Sequence, residues 1–176
     1  MAEQIQLEIV TPTGVALRTA VSEVTVPSVA GEFGVLPGHV PVLAALRAGT
    51  VGYKEGGGDH KVAVGPGFVE IANDKANLIT EKFARKEDID VVQTRARLKE
   101  IGDELAGWQG DLVDPRRAEL IEEEQWLGSL LELYGDPPQP TMREDTRYVQ
   151  SGRREENVAI AADTAPNDAT ALEPSE

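Results

Sequence analysis

Near Phe83 the spacing of apolar residues changes from two to between three and four, which divides the chain into a strand-forming part and a helix-forming part. Upstream, Ile5, Leu7 and Ile9 alternate with Gln6 and Glu8, as in a strand with one face in a core and the other in water. Val24 and Val26 alternate with Glu23 and Thr25 in the same way. Turn chemistry recurs at Pro12-Thr13-Gly14, Gly49, Gly65-Pro66-Gly67 and Asn73-Asp74, and Gly56-Gly57-Gly58-Asp59 between apolar segments reads as a hairpin. Residues 42–46 are apolar throughout, as expected of a strand covered on both faces. Short strands at this spacing predict a β-sandwich, a flattened antiparallel barrel of about ten strands, over residues 1–84.

Downstream, Val91, Thr94, Leu98, Ile101, Leu105 and Trp108 form a single helical stripe, predicting a helix over about 88–107 with Asp88 as N-cap and Asp90 in its first turn. Gly107 and Gly110 end it, and Asp114-Pro115 starts a second helix. Ala118, Ile121, Leu127, Leu130, Leu131 and Tyr134 are its expected apolar positions, and Gly135 its stop. Joined by a short loop, the two helices predict an antiparallel α-helical hairpin over 85–135 whose stripes face one another or the sandwich. Residues 136–176 turn to Pro, Asp, Glu, Thr and Ala without a sustained period. Such a stretch buries too little to offset an ordering entropy of about 1–2 kcal/mol per residue, so a disordered acidic tail is expected.

With 31 acidic against 17 basic residues, the formal charge of −14 argues against a nucleic-acid or anionic-membrane partner. The start at Met1 lacks the basic and apolar regions of a secretory leader, and no apolar run reaches the length of a membrane span, so direct membrane insertion is not expected. Without cysteine there is no thiolate catalysis, disulfide or Cys-based zinc site. His39 and His60 fall in separate loops with no metal-site spacing around them, and neither a G-x-S-x-G nor a P-loop is present. Neither metal nor cofactor is expected. Glu122-Glu123-Glu124 reads as an exposed acidic helix face. These features favour a non-catalytic binding module. A free-standing adaptor that dimerises through its hairpin is one form of it. A carboxylate-pair enzyme would need two carboxylates about 5–10 Å apart, and no spacing singles out such a pair.

The most distinctive stretch is Gly31-Glu32-Phe33-Gly34-Val35-Leu36-Pro37-Gly38-His39-Val40-Pro41-Val42-Leu43. Its glycines and prolines read as a folded, specified loop with Glu32, Phe33 and His39 on display. Together with Leu46, Gly49 and the segment Gly67-Phe68-Val69-Glu70-Ile71, it resembles the epsilon subunit family of the rotary F-type ATP synthase, over about residues 5–134.

The resemblance implies a non-catalytic rotor subunit at the cytoplasmic face of the bacterial inner membrane. Its sandwich would bind the gamma subunit on one side and rest on the c-ring subunits, coupling proton flow to ATP synthesis. The c-ring-facing loop of the family corresponds here to Gly31, Glu32, Phe33, Gly34, Pro37, Gly38 and His39, with Glu32 meeting c-subunit loops and His39 either doing likewise or holding the loop through backbone hydrogen bonds. The hairpin of the family can reach the alpha/beta head and brake hydrolysis, and some members bind ATP through an I/L-D-x-x-R-A motif. Ile89 and Asp90 match that motif, but Gln93-Thr94 stand in the Arg-Ala positions, and Arg95 follows two residues later on another helical face. Those three are the candidate nucleotide residues, and the missing arginine argues against the site. The acidic second helix likewise argues for a weak brake or none, since such a contact calls for basic residues.

Overall fold

The computed structural model describes residues 4–138, so the tail expectation for 139–176 lies outside the described residues. Ten strands follow in order: β1 (Ile5–Thr11), β2 (Gly14–Val21), β3 (Glu23–Ser28), β4 (Gly31–Val35), β5 (Val42–Leu46), β6 (Gly49–Glu55), β7 (Gly58–Val64), β8 (Gly67–Ala72), β9 (Lys75–Thr80) and β10 (Phe83–Ala84). They make one sheet in the order β10-β7-β6-β3-β5-β8-β9-β1-β2, with β4 paired to β3 off this path. The sheet folds over on itself, and the Thr19 hydroxyl of β2 hydrogen-bonds Glu55 of β6. One pairing departs from antiparallel order: β1 runs parallel to β9, from Gln6 opposite Lys75 to Val10 opposite Ile79.

The period-two residues do what their spacing predicts. Ile5, Leu7 and Ile9 of β1, Val24 and Val26 of β3, Val69 and Ile71 of β8, and Ala76 and Leu78 of β9 meet in one apolar core. Burying one of the Val, Leu or Ile side chains contributes about 1.5–3 kcal/mol. Gly67 keeps two strands in place, because a Cβ there would lie 2.0 Å from the Ile79 carbonyl oxygen.

The strand covered on both faces is β7 and not β5. Val62 and Val64 join the inner core while Ala63 between them is fully buried in a second cluster under the helices. In β5, Leu43 is 72% exposed. The expectation for residues 42–46 fails because the helical cover sits over β6 and β7, where Thr50 and Ala63 are buried, and leaves the outer face of β5 in water.

After a 3-10 turn at Lys86–Asp88 come α1 (Val91–Ala106) and α2 (Pro115–Tyr134). The N-cap of α1 is Asp90, whose carboxylate accepts the Gln93 N–H at 3.0 Å. Asp88, the expected cap, instead accepts the Arg85 N–H and closes the 3-10 turn. Asp114 caps α2 by accepting the Arg116 N–H at 2.8 Å, and Gly135, at φ 105°, ends it. The face of α1 runs through Thr94 and Ile101 as its stripe predicts. On α2 the expected Ala118 and Tyr134 are exposed, while Leu120 and Leu133 are buried with Leu127, Leu130 and Leu131. That helix packs against α1 and the sheet at once, so its buried positions exceed one stripe.

Candidate functional site

Residues 31–39 are not one loop. Gly31–Val35 pairs with β3 as β4, around a turn at Val29-Ala30. Ser28 holds that turn: its hydroxyl donates to the Gly31 carbonyl at 2.6 Å and accepts the Ala30 N–H at 3.2 Å. The register sets Phe33 opposite Val26 and Val35 opposite Val24, on the core side. Phe33 is therefore packed partly against the core and is not fully displayed, whereas Glu32 and Gly34 are exposed.

The Glu32 carboxylate lies 3.9 Å from the Arg47 guanidinium, both side chains being about half exposed. A pair this exposed contributes about 0–1 kcal/mol and leaves both groups open to other partners. Beyond β4 the chain turns at residues 36–39, with the His39 N–H donating to the Leu36 carbonyl at 3.1 Å. Gly38, at φ 79°, donates its N–H to Asp74 Oδ1 at 2.7 Å, tying this turn to the β8–β9 turn. His39 Nδ1 lies 2.7 Å from the Val40 carbonyl. A carbonyl only accepts, so Nδ1 carries the proton of this hydrogen bond. Half-buried, the ring sits 6.4 Å from that of Phe33. Pro37 is half-buried beside it in sequence.

Arg47, Ser28 and Asp74 hold this region, and sequence reasoning did not single them out. The Asn73-Asp74 turn signal was visible, but nothing in the sequence shows that the Asp74 carboxylate reaches Gly38. Both residues adopt positive φ, 50° and 55°, as a tight hairpin turn requires.

A second surface was also unforeseen. Registers between neighbouring strands align Ala45, Phe68, Ile79, Val10 and Val15 in one cross-strand row on the outer face of β5, β8, β9, β1 and β2. Phe68, Ile79 and Val15 are each more than half exposed. A row of five apolar side chains on a water-facing sheet is the usual form of a partner site.

The third region is the start of α1, where a cavity of about 290 Å³ is lined by Ile89, Asp90, Gln93, Thr94, Arg97 and Leu127 among others. Arg95 is not in its lining. It is ion-paired with Asp136, so the structure does not gather the three candidate nucleotide residues. Glu123 is no solvated surface group: Arg97 takes both its oxygens, and that hydrogen bonding holds its carboxyl below the ordinary carboxylate range despite partial burial.

His60 lies within β7, not in a loop, stacked on Tyr53 with ring centroids 5.3 Å apart. Burial pushes the Tyr53 hydroxyl up. Among the described residues no three His, Asp or Glu gather as metal ligands, and no helix is long and apolar enough to cross a membrane.

Residues 4–86 match the family described as the ATP synthase delta/epsilon chain, beta-sandwich domain. The ATP synthase epsilon chain of Nitratidesulfovibrio vulgaris (strain DP4) is 39% identical over 119 residues, covering 68% of this chain and 88% of that relative. That of Citrifermentans bemidjiense is 37% identical over 107 residues, covering 61% and 78%. A chain in the cryo-EM structure of the Euglena gracilis mitochondrial ATP synthase superposes with a TM-score of 0.62 at 22% identity, over 73% of this chain and 79% of that one, a likeness of fold.

Proposed function

The chain belongs to the ATP synthase epsilon-chain family, a non-catalytic subunit of the proton-transporting complex, and from that premise we propose that its sandwich joins the gamma subunit to the c-ring. One observation carries the reading: a single sheet presents two unlike exposed surfaces, an uncharged apolar row and a turn region where the charges of Glu32 and Arg47 stand beside the exposed Val29, Leu36 and Val40. The row of Ala45, Phe68, Ile79, Val10 and Val15 suits a permanent partner that covers it, and gamma is assigned there. The strand-and-turn region, with Glu32, Arg47 and His39 among exposed apolar side chains, suits loops that offer both polar and apolar groups, and we assign the c-ring subunits there. Ser28, Asp74 and the positive-φ Gly31 and Gly38 hold that region in one shape, so torque is not lost in loop motion. In a bacterium this puts the subunit on the cytoplasmic face of the inner membrane. Within the complex the hairpin is a weak brake on hydrolysis or none, since α2 offers Glu119, Glu122 and Glu132 on its exposed surface.

The test is reconstitution of the complex with substituted chains. Phe68→Glu is expected to abolish co-purification with gamma, because it places a charge within the apolar row. Glu32→Lys is expected to leave the complex assembled but lower ATP-driven proton pumping severalfold, because it reverses the charge the turn region presents. Pumping at the native level in Glu32→Lys removes Glu32 from the contact, and a Phe68→Glu chain that still binds gamma moves gamma elsewhere.

A further inference from the structure

The residues at the start of α1 do not fit a bound nucleotide. Gln93 stands where the motif of the ATP-binding members has its arginine, and the Asp90 carboxylate is engaged by the Gln93 N–H. The one guanidinium in the cavity, that of Arg97, already holds carboxylates. Its Nε donates to Glu123 Oε1 at 2.8 Å and its Nη2 to Glu123 Oε2 at 2.9 Å, two parallel bonds from α1 to α2, and its Nη1 reaches Glu100 at 3.3 Å. This fork is the geometry a phosphate would need, filled from within the chain. The other ionisable groups of the cavity, Asp88 and Asp90, are acidic and would repel a triphosphate. We propose that the bidentate Arg97–Glu123 pair clasps the helical hairpin shut without nucleotide. The clasp lies within the chain and does not depend on where gamma or the c-ring bind, so it is read on the isolated protein.

Hydrogen exchange of the purified full-length chain tests it, with and without millimolar magnesium ATP. The native α1 and α2 amides are expected to exchange at the same rate in both conditions. Glu123→Gln is expected to speed their exchange about tenfold while the amides of β1 and β9 keep theirs, the signature of local opening. Arg97→Gln should do the same, and Glu122→Gln, one residue away and exposed, should not. Slowing of exchange by ATP in the native chain overturns the proposal. So does native-like exchange in Glu123→Gln, or an equal acceleration in Glu122→Gln, which would make it an effect of overall charge.

Discussion

The sheet and the helical hairpin are held by different kinds of interaction. Inside the sheet, Leu7, Ile9, Val26, Val69 and Leu78 meet in a cluster made of apolar side chains alone. Between the helices, Ile101, Leu120, Leu127 and Leu130 are joined by ion pairs at the rim: Arg97 with Glu123, Arg116 with Glu104, and Arg95 with Asp136. Apolar burial is non-directional and is not screened by salt, whereas half-exposed ion pairs fix geometry and weaken as ions screen them. The sheet has ion pairs too, Arg18 with Glu8 and Lys54 with Glu23, but they join adjacent strands that a backbone ladder already holds, whereas those of the hairpin join two helices that share no such ladder.

The largest expected effect attacks the core of the sheet. Leu7→Ala empties a fully buried site in β1 and should cost about 2–5 kcal/mol, lowering the melting temperature of sheet and helices together. If only the helices melt early, the contrast is wrong. Leu120→Ala, equally buried but in the hairpin, should cost about 2–4 kcal/mol, and the loss should be confined to α1 and α2 in amide exchange. Asp90→Ala removes the cap of α1 and should cost about 1 kcal/mol, read as faster exchange in its first turn.

The smallest effect is acid opening. Hydrogen bonding to Arg97 lowers the pKa of Glu123, with Lys82 and Arg116 as further nearby cations, so its contribution is complete above the unfolded value near about 4.3 and is lost as pH falls through the lower folded value. Both tryptophans, Trp108 and Trp126, pack on the hairpin cluster, so their fluorescence should change below about pH 4 before the sheet unfolds. A change centred well above that range would assign it to another group.

What could be read from the sequence follows the range of the physics involved. Local periodicity set the strands and the α1 face, because alternation and a helical stripe depend on neighbours in sequence. Which strand lies under the helices could not be read, and the apolar run at 42–46 looks more buried than the segment that contains Ala63. Only the placement of α2 decides between them. Asp88 and Asp90 are equally good caps by type, and the Arg85 N–H settles which one serves. At the candidate site, Gly31, Glu32 and His39 could be singled out, but Arg47 and Asp74 could not, since the Asp74 carboxylate meets the Gly38 N–H across 36 residues of chain. The pairing of Glu123 with Arg97 across the hairpin was hidden for the same reason, behind a run of three glutamates that reads as solvated.

The parallel pairing of β1 with β9 has a consequence for synthesis. Val10 lies beside Ile79, so the first strand made has one edge unsatisfied until nearly all of the sheet has left the ribosome. The β1–β2 hairpin can form at once from local contacts, but closure of a loop this long is entropically costly and slower than local pairing. The helices, emerging last, meet a sheet whose hydrogen bonding is already complete. Until then the exposed edge of β1 is where a nascent chain would join a neighbouring copy, and prompt arrival of β9 is its protection.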